Sequence, residues 1–151
     1  MKKQKGTPSD HGFTVIELMV VLAVAVIVMG VALPNMMSWL PTYRLSAGAR
    51  QLAGDLQLAR MKAISQNTKY RLKFTTANSY EFEKESGGTF STESGPFSLP
   101  DGITVTGTTP FTTSEFQARG TVNAGGVITL KNINNLEKTV QVNIVGRVAI
   151  L

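Results

Sequence analysis

The hydrophobic positions of this chain change period twice. From Phe13 to Leu33 they have no period: apart from Thr14 and Glu17 the run is apolar, and no charge appears between Glu17 and Arg44. As a helix it would be about 31 Å long, matching a hydrocarbon core of roughly 30 Å. A helix apolar on all sides is too much for the interior of so small a soluble domain, so the pattern predicts a membrane span. From Leu45 the apolar residues recur in steps of four and three, at Leu45, Ala49, Leu52, Leu56, Ala59 and Ala63. That spacing predicts an amphipathic helix over about 44–66 with one stripe to bury. After Asn67 the period drops to two: Tyr70, Leu72 and Phe74 alternate with Arg71 and Lys73, and Tyr80-Glu81-Phe82-Glu83 repeats the alternation. With Asn78-Ser79 as a turn, these segments predict a hairpin.

Further strands are expected at 103–106, 113–117, 127–131, 139–144 and 147–150, separated by Gly, Pro and Asn. Ser86 to Ser98 is rich in Gly, Ser and Thr, lacks periodicity, and is predicted to be an exposed or mobile connection that carries specificity. Ala124-Gly125-Gly126 reads as a hairpin turn, since it lacks the strand-to-helix setting of a phosphate-binding glycine motif. The fold expected is α+β, with one long N-terminal helix ahead of a mainly β region over about 69–151.

Composition narrows the function. The chain has 151 residues, with 15 Lys and Arg against 10 Asp and Glu, yet only 17% of residues are charged, so its +5 reflects scarce acid rather than a basic tail. With no Cys and only His11, it lacks the residues for a thiolate metal site, a Cys nucleophile, a disulfide framework or a multi-His centre. No acid/base pair is recognisable, which argues against an enzyme and leaves only a Ser-Lys arrangement open. No cofactor or metal is expected. Glu81, Glu83 and Glu85 would share one side of a strand, where they either approach a cation such as calcium or form a solvated ladder. Asp55 is the only acid from Arg44 to Lys73. Arg44, Arg50, Arg60 and Lys62 therefore make a basic helix face, either solvated or turned toward nucleic acid or anionic lipid.

Lys2, Lys3 and Lys5 precede the span, while Arg44 is the one cation in the first dozen or so residues beyond it, so the N-terminus is expected to stay cytoplasmic and the remainder to be exported. An ordinary signal peptide fits less well, because the apolar run is long and no small-residue cleavage site follows it. Glu17 lies inside the apolar run, where an ionised carboxylate either needs a cationic partner or snorkels to the headgroups. Gly30 and Pro34 predict a local kink, as a hinge or as an ordinary break at the end of a span.

Gly12-Phe13-Thr14-Val15-Ile16-Glu17-Leu18-Met19-Val20-Val21 resembles the prepilin motif of type IV pilins and type II secretion pseudopilins. The resemblance implies a leader, residues 1–12, cut by a prepilin peptidase between Gly12 and Phe13, with N-methylation of Phe13 as the new N-terminus. It implies a transmembrane and assembly helix over 13–40 and a periplasmic, type IV pilin-like domain over 41–151. It also implies that Glu17 pairs with the N-terminal amine of a neighbouring subunit in a hetero-oligomeric filament.

Leu52-Ala53-Gly54-Asp55-Leu56-Gln57-Leu58-Ala59-Arg60-Met61-Lys62-Ala63-Ile64 resembles the helix signature of the GspH/FimT family of pseudopilins and minor pilins. Phe116-Gln117-Ala118-Arg119-Gly120, Val127-Ile128-Thr129-Leu130 and Val145-Gly146-Arg147-Val148 resemble its C-terminal half. Lys62 stands where many relatives carry an acid. This resemblance implies a minor pseudopilin of a type II secretion system, a structural subunit at or near the tip of an inner-membrane-anchored pseudopilus. The alternative it implies is a minor type IV pilin in pilus biogenesis or DNA uptake. For DNA the family motif is Gly-Arg-x-Arg, whereas this chain has Gly146-Arg147-Val148-Ala149, so Arg147 would contact phosphate without a second arginine.

Overall fold

The structure, a computed structural model, describes residues 13–109 and 113–151, without the side chains of 31–36, 108, 109, 113 and 114. Helix α1 (Val15–Ser65) is followed by eight strands: β1 (Tyr70–Thr76), β2 (Ser79–Ser86), β3 (Thr89–Ser98), β4 (Ile103–Thr109), β5 (Thr113–Phe116), β6 (Gly126–Asn132), β7 (Glu137–Val142) and β8 (Val148–Ile150). The fold is α+β, and the chain divides into two compact units, Met1–Ser38 and Trp39–Leu151.

In the first unit α1 begins at Thr14, whose Oγ1 accepts the Glu17 backbone N–H at 3.2 Å while its carbonyl accepts that of Leu18. Thr14 is thus the N-cap and Glu17 the third helical residue, the Thr-x-x-Glu spacing of a capping box. The backbone is helical at Gly30 and Pro34.

In the second unit the stripe Leu45, Ala49, Leu52, Leu56, Ala59 and Ala63 is buried throughout, as the spacing predicts. It shares one core with two four-stranded antiparallel sheets, ordered β3-β2-β1-β5 and β4-β6-β7-β8. Tyr70, Leu72, Tyr80, Phe82 and Phe116 come from the first sheet, and Ile103, Ile128, Leu130, Val140 and Val142 from the second. Beside the stripe, buried Gly48 lets the helix backbone approach the segment before β4: a Cβ there would lie 3.3 Å from the Pro100 ring. The helix stops at Asn67, which takes the left-handed conformation (φ 50°) while the Thr68 N–H returns to the Ala63 carbonyl at 3.2 Å.

The β1–β2 hairpin forms as the alternation predicts, pairing Leu72 with Phe82 across a turn at Ala77-Asn78. Two expectations are corrected. Ser86 to Ser98 is not a loose connection: Thr89–Ser98 is strand β3, joined to β2 through Gly87-Gly88, both at positive φ (61° and 86°) as a two-residue hairpin turn requires. β3 is an edge strand exposed over most of its length, so its side chains never had to alternate, and its register to β2 shifts twice. Ala124-Gly125-Gly126 is not a hairpin turn either, because β5 and β6, which flank it, lie in different sheets. A Cβ on Gly125 would stand 3.0 Å from the Val142 carbonyl oxygen, so this glycine serves a close backbone approach.

Candidate functional site

The first unit presents a bare apolar helix. From Phe13 (86% exposed) through Val15, Ile16 and Leu18 to Met29 (60%), its large side chains are exposed, and they face every direction of the helix rather than one. Glu17 stands exposed among them, with no charged partner among the described residues. Among the described residues no helix is long and apolar enough to cross a membrane. The predicted span includes residues 31–36, whose side chains fall outside the described ones, and the leader with its cleavage residue Gly12 falls outside them too. A Cβ on Gly30 would meet open space, so nothing described forces that glycine.

In the second unit three cations of the basic helix face, Arg44, Arg60 and Lys62, are engaged, and Arg50 is exposed. The Arg60 guanidinium donates to the carbonyls of Gly120 (2.9 Å) and Val145 (3.3 Å), and the Arg44 guanidinium donates to that of Asp101 at 3.4 Å. Lys62 Nζ meets Glu93 of β3 at 2.6 Å and lies over the rings of Tyr70 and Phe82. The pairing that a basic residue at position 62 left open is therefore made by the edge strand. Glu93 also accepts from the Tyr70 hydroxyl at 2.7 Å, so one carboxylate ties β3 to both α1 and β1. Farther along α1, the Tyr80 hydroxyl donates to Asp55 and accepts from Gln51 Nε2 at 2.9 Å, and Gln51 also donates to the Ser98 carbonyl. Burial, then the neighbouring carboxylate in each case, pushes both phenols well above their ordinary range.

Glu81, Glu83 and Glu85 meet cations supplied by the chain itself. Arg71 and Lys73 both bind Glu83, Lys73 also reaches Glu81 at 3.8 Å, and Lys69 reaches Glu85 at 3.1 Å. The register opposes Arg71 to Glu83 and Lys73 to Glu81, so the ladder is a set of cross-strand ion pairs. Among the described residues no group of three His, Cys, Asp or Glu side chains is arranged to hold a metal. Burial works against the Glu83 carboxylate, but hydrogen bonds from Lys73 and Arg71 outweigh it and hold the carboxyl below its usual range; for Glu93 burial is likewise opposed and outweighed, by hydrogen bonds from Lys62 and Tyr70. A carboxyl depressed on folding stabilises above its unfolded value near 4.5, and that stabilisation is lost as pH falls through the folded one. Urea midpoints are accordingly expected to fall as pH drops below about 4.5, and Glu83→Gln to flatten that dependence. A profile equally steep in both proteins would remove Glu83 from the account.

Three sequence segments singled out above meet at Arg60. Its two acceptor carbonyls belong to Phe116-Gln117-Ala118-Arg119-Gly120 and to Val145-Gly146-Arg147-Val148, and Arg60 itself lies in the helix signature. Gly120 and Gly146 lie back to back at φ 77° and 79°, and a Cβ on Gly146 would strike the Gly120 carbonyl oxygen. Val122 N–H to Ile144 carbonyl (3.0 Å) and Gly146 N–H to Asn143 carbonyl (2.8 Å) complete the junction. From sequence Arg60 belongs to a basic face, and its partners, two glycine turns 60 and 85 residues away, leave no local signal. Arg147 follows this junction, its backbone N–H bound to Asn143 Oδ1 at 2.8 Å and its side chain exposed. Ala149, where a second arginine would stand, is opposite Gln141.

Comparison with known proteins agrees with these segments. Residues 48–146, more than half the chain, match the family model of type II transport protein GspH, and residues 8–33 match the prokaryotic N-terminal methylation motif. No curated protein sequence matches the chain. Among solved structures, the type IV minor pilin FimU of Pseudomonas aeruginosa is similar at a TM-score of 0.60 and 15% identity, covering 73% of this chain and 90% of that one. The minor pseudopilin EpsH from the Type 2 Secretion System of Vibrio cholerae is similar at a TM-score of 0.57 and 10% identity, covering 72% and 96%.

Proposed function

The chain belongs to the type II transport protein GspH family, and from that premise we propose that it is a minor pseudopilin, a structural subunit at or near the tip of a type II secretion pseudopilus. The observation that carries this reading is the contrast along α1. Its second part buries one stripe against two sheets, whereas its first part exposes apolar side chains all round and has a use only inside a bilayer or a bundle of like helices. A prepilin peptidase cuts after Gly12, Phe13 becomes the methylated N-terminus, and the apolar helix stays in the mature protein. The chain is anchored once in the inner membrane with the domain after it in the periplasm, and it then joins other pseudopilins. Gly30 and Pro34 let the helix bend as it leaves the membrane. The work is done by surfaces and by one charge, and no catalytic group takes part.

The second reading, a minor type IV pilin, is favoured by the likeness to FimU. Its DNA-binding form would rest on Arg147 without the motif's second arginine, and of the basic helix face Arg60 and Lys62 are engaged within the domain while Arg50 is exposed. A deletion strain, with and without the intact gene restored, separates the two readings by the proteins released to the medium and the pilins recovered by shearing. Lost release with normal pili is the expected result. Normal release with lost pili would overturn the secretion reading in favour of the pilus.

A further inference from the structure

Beyond the apolar run α1 carries two aromatic residues outside the core. Trp39 is 50% exposed and Tyr43 55% exposed, one helical turn apart, and their rings meet edge to face with centroids 5.7 Å apart and planes at 79°. The buried stripe starts only at Leu45, so neither ring belongs to the packing of the domain. They stand between two chemically different stretches. Before them no charge appears back to Glu17, and immediately after them Arg44 is the first cation, its guanidinium held by the Asp101 carbonyl.

We infer that Trp39, with Tyr43 packed against it from the water side, forms an interfacial anchor at the headgroup layer of the bilayer on the periplasmic side of the span. The inference rests on the reading of Phe13 to Leu33 as membrane-spanning. Indole and phenol rings are apolar bodies with one polar tip, which suits the boundary between hydrocarbon and water better than either phase. Trp39 lies six residues past Leu33, about 9 Å of helical rise, and helical side chains lean back toward the N-terminus, which brings the ring closer to the hydrocarbon edge. The headgroup layer is roughly 5–8 Å thick on that side, and the backward lean brings the Trp39 ring into its outer part. Paired on one face, the two rings fix the depth and rotation of this stretch of helix together.

Trp39 is the only tryptophan of the chain, so its emission reports one site. The full chain is reconstituted in vesicles of phosphatidylethanolamine and phosphatidylglycerol; co-flotation reads insertion, and quenching by lipids carrying a nitroxide near the headgroup or near the acyl terminus reads depth. Expected are flotation, a blue-shifted emission, and shallow quenching about twofold or more above deep quenching. Chain that stays out of the floated vesicles would sink the membrane-span reading and the anchor with it. Chain that floats while Trp39 is quenched by aqueous acrylamide alone, or better by the deep nitroxide, would overturn the anchor and leave the span standing.

Discussion

Gly146→Ala is expected to lower the stability of the folded domain by about 3 kcal/mol or more, enough to approach unfolding in a domain of ordinary marginal stability. Gly146 sits at φ 79°, where an L side chain costs about 1–2 kcal/mol. The added methyl would also strike the Gly120 carbonyl oxygen and lie 2.9 Å from Arg60 Nε, with backbone on one side and a bonded guanidinium on the other. Neither can yield cheaply, since moving Gly120 or Arg60 breaks the hydrogen bonds that tie both turns to α1. Gly88→Ala is the control: its φ of 86° is as unfavourable, but a Cβ there meets open space, so about 1 kcal/mol is expected. The measurement is urea unfolding of the full chain in detergent, followed by circular dichroism. Equal losses in the two variants would show that the junction at Arg60 relaxes and does not hold the turns.

Where one physical demand dominated, the sequence could be read directly. The stripe from Leu45 to Ala63 had to bury one helical face, and β1 and β2 had to bury one face of a hairpin, so period alone revealed both. β3 escaped because an edge strand exposed on most of its residues answers to backbone pairing, which leaves no hydrophobic period; only Gly87-Gly88, a hairpin turn signal, announced it. The break at Ala124 to Gly126 was misplaced for a related reason. Glycine marks both a tight turn and a close approach of two backbones, and only the assignment of β5 and β6 to different sheets distinguishes them. Among charges, the pairing of Lys62 with Glu93 and of Arg60 with two carbonyls joins residues 31 to 85 positions apart, beyond any local pattern. Glu17 is the opposite case: its place in a Thr-x-x-Glu start is legible from Thr14 to Glu17 alone, although the same residue also interrupts the apolar run.

That capping geometry determines how the role of Glu17 has to be tested. Glu17→Ala removes both a charge and a first-turn side chain that favours the helix start, so its loss alone would not identify which mattered. Glu17→Gln keeps a residue suited to the third position of a capping box and leaves the backbone N–H donated to Thr14, while removing the charge. Both variants are expected to be processed and inserted as the parent is, and both to lower incorporation into the filament by about tenfold, read by crosslinking of sheared material. The expectation rests on the proposed pairing: an apolar surrounding would magnify the attraction between the Glu17 carboxylate and the amine of a neighbouring Phe13, and a subunit docked out of register would leave both charges stranded. In the Glu17→Gln variant the amine has no counter-charge, so correct and incorrect registers become equally poor. Normal incorporation of Glu17→Gln together with poor incorporation of Glu17→Ala would assign Glu17 to starting the helix and take the intersubunit pairing away from it.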